Sequence, residues 1–383
     1  MGKIRVFNRC FIVLFMAMLT LPLIFVDLSS DRVSAQENRM LAPFPRLTDL
    51  KHHQVAFIRG FDAWFKDSTG FRGQFLALYN SIGKNTWLNN NFQYKEGGYV
   101  FLIGEQGHYY FADLGGRLIP VFQGRPVFSD EQLAKMAEKL EEVKTYLDKQ
   151  GIPFIVMFCT MKESIYPEFY PESIIRGPEP IQLDVITNYL KGHTSVDVFN
   201  IRQALLAEKE SYLLYPVTGD SNALAHYNHT GAFFAYRELM KHIDVHFPGI
   251  IPFELKDIDI SYNEKGETNW SIKTGLAYKE IYPSFVSGID SFITFNKAYE
   301  NIDPNLPTIL FLRTSFSITL GVLAAQHFGK TIMTHFVNMG HIEEYVNLWK
   351  PDIVIFETVE RQFDTFFDAV IGIPDLATKR GGF

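Results

Sequence analysis

The chain has 383 residues, of which 36 are basic and 43 acidic, so its formal net charge at pH 7 is −7. This balance excludes a non-specific nucleic-acid binder, which needs a net basic surface. A content of 47% hydrophobic and 21% charged residues excludes a wholly disordered chain. Two cysteines cannot form a disulfide framework, and the 11 histidines form no HExxH or closely spaced His/Cys motif. We therefore expect neither a metal site nor a cofactor.

The first 27 residues have the pattern of a signal anchor. Three basic residues precede an apolar run from Cys10 to Val26, and Asp27 ends the run. A run of about 17 apolar residues is at the lower limit of what spans a bilayer, and basic residues before it keep the start of the chain in the cytoplasm. The sequence predicts a single-pass protein of the cell membrane whose body lies outside the cytoplasm, in the periplasm or at the cell surface.

Two other interpretations of this run remain open. If the run is a removable signal peptide, the small residues at 33–35 offer a cleavage site. That site lies well beyond the end of the run, which favours an uncleaved anchor. A buried core helix is the third interpretation, but it gives the basic flank no role.

Two segments separate the predicted anchor from the main body. Residues 28–60 contain prolines and mixed polar residues, which is typical of a connector. Residues 61–127 form a lead-in segment, in which a helical pattern with a Ser-Thr-Gly break is followed by the aromatic and glycine residues of short strands. Ser129 and Gln132 then form a capping box, and apolar residues repeat at helical spacing until Gly151.

From residue 128 to residue 383, short apolar runs alternate with helical patterns. Continuous apolar runs of this length are typical of strands buried on both faces, and strands that alternate with helices form a parallel sheet covered by helices. The sequence therefore predicts one α/β domain over 128–383, with a β-rich insertion at about 250–300. The predicted strands are 153–159, 194–199, 307–312, 330–336 and 351–356, and the predicted helices between them are about 181–191, 229–246, 316–328 and 341–349.

Ser315 follows the predicted strand 307–312. In parallel sheets, functional groups gather at the carboxyl ends of the strands, and a serine at the turn into a helix lies near N–H groups that can stabilise an oxyanion. Ser315 is therefore a candidate nucleophile, although the G-x-S-x-G motif is absent. The alternative is that Ser315 only caps the helix that follows.

A polar loop at 218–230 precedes another predicted helix and contains an acid and two histidines. A serine nucleophile needs a base that takes its proton and a carboxylate that orients the base. His226 and Asp220 can supply both from this loop. The alternative is a solvated loop in which Asn228 or His229 caps the helix.

Charged and aromatic residues also follow the predicted strands 153–159 and 351–356. Charged residues at strand ends can line a cleft, but a structural ion pair is the favoured interpretation. The residues are Lys162, Glu163 and Tyr166 after the first strand, and Glu357, Glu360 and Arg361 after the second.

Six segments, in order along the chain, resemble motifs of the alginate O-acetyltransferase family (AlgJ and AlgX), whose members are SGNH-hydrolase-like proteins of bacterial envelopes. The segments are ENRMLAPFP, FDAWFKDSTGFRGQFLALYN, MKESIYPEFYP, HYNHTGAFFAY, LRTSF and KPDIVIFETVER, and they extend over most of the chain from about residue 37. The resemblance implies an SGNH-hydrolase-like three-layer α/β/α fold with a mostly parallel sheet.

The resemblance also implies roles for particular residues. Ser315 matches the family's nucleophile and His226 its base, and Asp220 is the nearest candidate for the orienting acid. The family acid stands two residues before the histidine, where this chain has Leu224, and Thr314 replaces the aspartate before the serine. Residues of the same motifs are candidates for substrate binding, namely Tyr227, Asn228, Lys162, Tyr166, Arg313 and Arg361.

The implied function is the O-acetylation of an extracellular or cell-wall polysaccharide. Ser315 would take an acetyl group from a donor, and a sugar hydroxyl would attack the acetyl-enzyme. In the family's systems a membrane-bound O-acyltransferase supplies the acetyl groups. Two alternatives remain open: a carbohydrate esterase or deacetylase, and a non-catalytic glycan-binding subunit of a polysaccharide export complex. Because the body is acidic, a strongly anionic glycan is a less natural acceptor unless a basic cleft offsets the charge.

Overall fold

The computed structural model describes residues 15–16, 20–22, 24–26, 33–34, 39–40, 42–48, 54–71, 93–96, 99–112, 118–172, 174–219, 221–266, 268–281 and 296–376. Most of the predicted anchor, residues 1–27, lies outside this set. Among the described residues, no helix combines the length and the apolar character that crossing a membrane requires. The chain divides into two compact units, Met1–Gly98 and Tyr99–Phe383. The finer boundaries after residues 27, 60 and 127 stay predictions.

The first unit contains helix α1 (Gln54–Ser68), which begins within the predicted connector and ends at the predicted Ser-Thr-Gly break. The Trp64 ring of α1 packs edge-on against Phe44, with ring centroids 4.8 Å apart. Asp67 accepts a hydrogen bond of 2.8 Å from the Ala42 N–H. The strands of this unit are β1 (Val33–Ser34), β2 (Arg39–Met40) and β3 (Gln93–Glu96). The predicted second helix, beyond residue 71, lies outside the described residues.

The second unit alternates strands and helices as the apolar runs predict. Its strands are β4 (Tyr99–Ile103), β5 (Tyr109–Ala112), β6 (Phe154–Cys159), β7 (Asp197–Asn200), β8 (Ile258–Tyr262), β9 (Thr268–Ile272), β10 (Tyr278–Ile281), β11 (Lys297–Asn301), β12 (Thr308–Arg313), β13 (Lys330–His335) and β14 (Ile353–Val359). Its helices are α2 (Leu118–Phe122), α3 (Asp130–Asp148), α4 (Lys162–Ile165), α5 (Gln182–His193), α6 (Arg202–Glu208), α7 (Ser221–Leu224), α8 (His229–Asp244), α9 (Ser317–Ala324), α10 (Ile342–Trp349) and α11 (Phe363–Ile371).

The main sheet has seven strands in the order β10-β11-β13-β12-β14-β6-β7. The five strands from β13 to β7 run parallel to one another, whereas β11 pairs antiparallel with β13, and β10 pairs antiparallel with β11. This arrangement confirms the prediction of an α/β protein with a largely parallel sheet. The β-rich interval at 250–300 is a separate antiparallel hairpin, β8–β9, followed by β10 and β11, which extend the main sheet.

Helices cover both faces of this sheet. Alternate residues of the central strands, such as Val156 and Ile332, pack in one apolar cluster with α3, α5, α10 and α11. Met333, which follows Ile332, points to the opposite face, where a Cβ at Gly321 of α9 would lie 2.2 Å from its sulfur. Helix α9 therefore lies directly against β13, and a side chain at position 321 would require the Met333 side chain to move.

The predicted capping box at the start of α3 is confirmed. The Ser129 hydroxyl accepts a hydrogen bond from the Gln132 N–H, and the Gln132 side chain accepts one from the Ser129 N–H. These bonds satisfy two donors at the helix start that would otherwise lack partners. The predicted apolar face of the helix is buried as well.

Because β6, β12 and β14 are parallel and adjacent, their carboxyl ends meet at one edge of the sheet. All residues of β6 and β14 are buried. Polar side chains that follow these strands are therefore held by a rigid apolar support.

Candidate active site

Ser315 lies between the end of β12 at Arg313 and the start of α9 at Ser317. Phe316 occupies the cap position of α9 and makes no capping hydrogen bond with its side chain. The alternative that Ser315 caps this helix is therefore wrong. The Ser315 side chain is partly exposed, and its Oγ lies 2.6 Å from Nε2 of His226, 89 residues away in the chain.

His226 lies in the short connection between α7 and α8. The neighbouring residues fix this connection: the Ala225 carbonyl accepts a 2.9 Å hydrogen bond from Arg361 Nη1, and the Asn228 N–H donates a 3.0 Å bond to the Leu214 carbonyl. The imidazole also contacts the Phe316 ring, with centroids 4.9 Å apart. His226 is therefore positioned by the chain on both sides of it.

Tyr227 joins the histidine segment to the serine segment. Its hydroxyl donates a 2.8 Å hydrogen bond to the carbonyl of Phe316, the residue after Ser315. Burial raises the pKa of the Tyr227 phenol well above its ordinary value, so the phenol keeps the proton that it donates. This bond fixes the spacing between the two residues that carry the candidate chemistry.

Glu357 accepts hydrogen bonds from Thr314, the residue before Ser315. This fully buried carboxylate of β14 accepts a 2.7 Å hydrogen bond from the Thr314 N–H and bonds of 2.9 and 3.0 Å from the Thr314 hydroxyl. The Thr314 hydroxyl in turn accepts a 3.2 Å bond from the Phe316 N–H. Burial raises the pKa of Glu357, and the hydrogen bonds from Thr314 oppose this shift. The residues on both sides of Ser315 are thus tied to one strand.

Lys162 and Glu360, two of the charged residues that follow β6 and β14, make hydrogen bonds rather than the expected ion pair. Lys162 is buried, and its Nζ donates to the carbonyls of Tyr109 and Pro216 at 2.8 and 2.6 Å. Glu360 accepts from the Met161 N–H at 2.8 Å and from the hydroxyls of Thr160 and Ser164. Among the described residues, neither side chain forms an ion pair, so that interpretation is wrong for both.

The six candidate substrate-binding residues fall into two groups. Tyr227 and Asn228 line the same cavity as Ser315, whereas Lys162, Tyr166, Arg313 and Arg361 do not. The Tyr166 hydroxyl bonds to backbone atoms of Tyr212 and Leu214, and Arg313 is fully buried and donates to the Thr314 carbonyl. These contacts give Tyr166 and Arg313 a structural role. A role in binding substrate stays a prediction for all six residues.

Asn228 has a structural task that the sequence also suggested. Its side-chain oxygen accepts a 3.0 Å hydrogen bond from the Gly231 N–H and caps α8. Its amide nitrogen donates to the carbonyls of Leu213 and Gly266 at 2.7 and 3.2 Å. The capping alternative for Asn228 is therefore confirmed. Asp220, the candidate orienting acid, lies outside the described residues.

A cavity of about 350 Å³ opens at Ser315 and His226, a volume within the usual range for ligand sites. Three of its lining residues, Ser315, His226 and Phe316, lie at the candidate nucleophile and base and are called the floor below. The other lining residues are Pro216, Ala223, Tyr227, Asn228, His229, Asn263, Asn269, Ile318 and Thr319. In the part of the chain that the structure describes, no three His, Cys, Asp or Glu side chains are arranged to hold a metal ion.

Sequence reasoning missed two features of this cavity. One is the hydrogen bond between Glu357 and Thr314. These residues are 43 positions apart, and the sequence does not show that they come into contact. The other is the β8–β9 hairpin, which contributes Asn263 and Asn269 to the lining. The polar Asn-Glu-Lys-Gly turn signals a hairpin, but nothing in it signals a place beside Ser315.

Comparisons with known proteins give matches among solved structures only. No protein-family model matches the chain, and no curated protein does. PatB1 of Bacillus cereus, solved with a sulfonyl adduct, is similar at 13% identity over 76% of this chain and 100% of its own, with a TM-score of 0.49. A DHHW family protein from Eubacterium siraeum is similar at 13% identity over 73% and 95%, with a TM-score of 0.47.

The O-acetyltransferase domain of Pseudomonas putida AlgJ is similar at 12% identity over 71% of this chain and 98% of its own, with a TM-score of 0.43. AlgJ belongs to the family whose motifs the sequence resembles. At these identities and scores the function has to be argued from the site itself.

Proposed function

We propose that this protein is an O-acetyltransferase that transfers an acetyl group through Ser315 onto a hydroxyl of an extracellular or cell-wall polysaccharide. The observation that carries the proposal is the 2.6 Å separation of His226 Nε2 and Ser315 Oγ at the floor of a cavity. A serine within hydrogen-bond reach of a histidine is the arrangement that activates a hydroxyl nucleophile. The sequence motifs of the SGNH-hydrolase-like acetyltransferases support the same assignment.

The first half of the reaction acetylates the serine. Ser315 Oγ attacks the acetyl carbonyl carbon of the donor while His226 Nε2 takes the hydroxyl proton. The bond between the acetyl carbon and the donor breaks, and His226 returns the proton to the leaving donor atom. The product is an ester between the acetyl group and Ser315.

The second half passes the acetyl group to the glycan. His226 takes the proton of an acceptor hydroxyl, whose oxygen attacks the ester carbonyl carbon. The bond from that carbon to Ser315 Oγ breaks, and the serine regains a proton from His226. A deacetylase or esterase would use water in this half, so the identity of the acceptor separates the two functions.

Three further parts of the proposal come from the sequence. Asp220 would orient His226 and stabilise its charged form. The amino-terminal anchor would hold the body at the outer side of the cell membrane. A membrane-bound O-acyltransferase would supply the acetyl groups, as in the family's systems.

The test uses the purified full-length protein, p-nitrophenyl acetate as donor and a panel of oligosaccharides as acceptors. We expect acetylated sugar by mass spectrometry, no product with Ser315→Ala, and a strong loss with Asp220→Asn. Release of acetate with no acetylated sugar would instead support the esterase. Sugar binding without turnover of the ester would support the non-catalytic glycan-binding subunit.

A further inference from the structure

The β8–β9 hairpin contributes two lining residues to the cavity and is called its rim below. Asn263 lies at the hairpin turn and Asn269 on β9, both exposed and both lining the cavity that contains Ser315. An amide side chain offers two donors and an acceptor with two lone pairs, and the Asn263 oxygen accepts a 2.9 Å hydrogen bond from the Lys265 N–H within the turn. Hydroxyl groups both donate and accept, so amides at this position match the chemistry of a sugar ring.

The rim is fixed to the segment that carries His226. Asn228 Nδ2 donates a 3.2 Å hydrogen bond to the Gly266 carbonyl, and the Val217 N–H donates a 3.1 Å bond to the Lys265 carbonyl. Thr230 Oγ1 lies 3.1 Å from the Tyr262 hydroxyl. The hairpin therefore holds its amides at a set position relative to the floor, as a preformed binding site requires.

Gly266 shows how closely the turn approaches this segment. Its φ of +79° is in the region that favours glycine. A Cβ at this position would lie 2.5 Å from a methyl carbon of Leu213 and 3.3 Å from the Val217 nitrogen. The turn can lie this close to residues 213–217 only because residue 266 has no side chain.

The described lining of the cavity contains no lysine or arginine that would bind an anionic sugar. Among the described residues that line it, none is Asp, Glu, Lys or Arg. Between β8 and β9 the sequence contains Glu264, Lys265 and Glu267, so the turn has a formal net charge of −1. Binding of a hexuronate carboxylate normally uses a cationic or strongly donating partner. The Arg361 guanidinium lies 5.4 Å from the Phe316 ring centroid and donates to the Ala225 carbonyl. Arg361 does not line the cavity, however, so the described lining forms no basic cleft for an anionic glycan.

We infer that the rim is the acceptor-binding site and that the acceptor unit is an uncharged sugar, whose hydroxyls Asn263 and Asn269 bind while one of them faces Ser315. This inference rests on the proposed function. In the transfer step the hydroxyl proton passes to His226, the new ester bond forms at the sugar oxygen, and the bond to Ser315 Oγ breaks. The amides take part only by holding the sugar in place.

The experiment separates the two half-reactions of the full-length protein. Ser315 is first acetylated with p-nitrophenyl acetate, and the acetyl-enzyme is mixed with neutral hexose oligomers or with hexuronic acid oligomers of equal length. We expect transfer to a neutral oligomer at least tenfold faster than to any hexuronate. Equal or faster transfer to a hexuronate, or no transfer to any neutral oligomer, overturns the inference.

Three variants sharpen this test. Asn269→Ala should lower kcat/KM for the neutral acceptor about five- to tenfold relative to the rate of serine acetylation, as expected for the loss of one or two hydrogen bonds. Asn269→Lys should shift the preference toward the hexuronate. The matched control is Ser271→Ala, on the same strand but outside the cavity lining, which should leave both half-reactions unchanged.

The outcomes also separate this inference from the proposed function. If Ser315 takes no acetyl group, the proposed function fails. If Ser315 is acetylated and transfer to neutral sugar is equal in the wild type and in Asn269→Ala, only the acceptor site is wrong.

Discussion

The floor and the rim of the cavity differ in how they are held. The floor segment is tied to distant parts of the chain by buried hydrogen bonds, from Thr314 to Glu357 and from Tyr227 to Phe316. The rim presents exposed amides on a two-stranded hairpin. Substitutions that remove the buried hydrogen bonds supporting the floor should therefore destabilise the fold, whereas substitutions on the rim should alter only which acceptor is used.

The largest expected effect is on the floor itself. His226→Asn removes the base that lies 2.6 Å from Ser315 Oγ, and we expect acetylation of the serine to slow by about 10³-fold. The histidine is partly exposed, so the thermal unfolding midpoint should stay close to that of the wild type. The measurement is the burst of p-nitrophenol from p-nitrophenyl acetate. A burst of wild-type rate would show that the floor does not carry the chemistry.

The next prediction concerns Glu357, whose hydrogen bonds with Thr314 should stabilise the folded protein. Glu357→Ala leaves the Thr314 N–H and hydroxyl buried without their acceptor and removes a carboxylate whose charge raises the pKa of the buried Arg313. We expect the free energy of unfolding in urea to fall by about 3 kcal/mol.

Asn305→Ala, at an exposed loop position, is the control for this measurement. A change of less than about 0.5 kcal/mol in Glu357→Ala would contradict a structural role for this carboxylate.

The pH dependence of stability tests the buried carboxyl group of Glu163 in α4. Burial raises the pKa of Glu163 from 4.5 to about 8, and Glu360 adds to the shift. Between pH 4.5 and about 8 the folded protein keeps a proton on Glu163 that the unfolded chain has lost. The free energy of unfolding is therefore highest below pH 4.5 and falls as the pH rises through about 8.

In Glu163→Gln the side chain at position 163 can no longer take up or release this proton. We expect the unfolding midpoint of the wild type to fall by several degrees more than that of the variant between pH 5 and pH 8. Parallel curves for the two proteins would show that Glu163 titrates at its ordinary pKa.

A smaller effect is expected from the hydrogen bond that joins the His226 segment to the Ser315 segment. Tyr227→Phe removes the 2.8 Å bond to the Phe316 carbonyl and keeps the ring. We expect a loss of about 1 kcal/mol in stability and about a fivefold loss in the rate of serine acetylation. An unchanged acetylation rate in a destabilised variant would assign the bond to folding alone.

The sequence predicted the parts of this molecule that depend on local pattern. The apolar runs at 153–159 and 351–356 gave the positions of β6 and β14, because strands buried on both faces must be apolar throughout. Ser315 and His226 were paired by the chemistry that a serine nucleophile requires and by the motifs around them. Local pattern and residue type were sufficient in each case.

The sequence could not predict contacts that join distant positions. The bond from Tyr227 to Phe316 crosses 89 residues, and the support of Thr314 by Glu357 follows from the adjacency of β12 and β14 in the sheet. The ion pairs expected for Lys162 and Glu360 failed for the same reason, since Lys162 meets carbonyls rather than a carboxylate. The place of the hairpin beside Ser315 likewise required the fold.

The central claim is that Ser315 carries the acetyl group. Intact-protein mass spectrometry after brief exposure to p-nitrophenyl acetate, followed by peptide mapping, tests it directly. We predict one added acetyl group that maps to Ser315, that is absent in Ser315→Ala, and that disappears when a neutral oligosaccharide is added. An acetyl group on another residue, or none at all, would contradict the account.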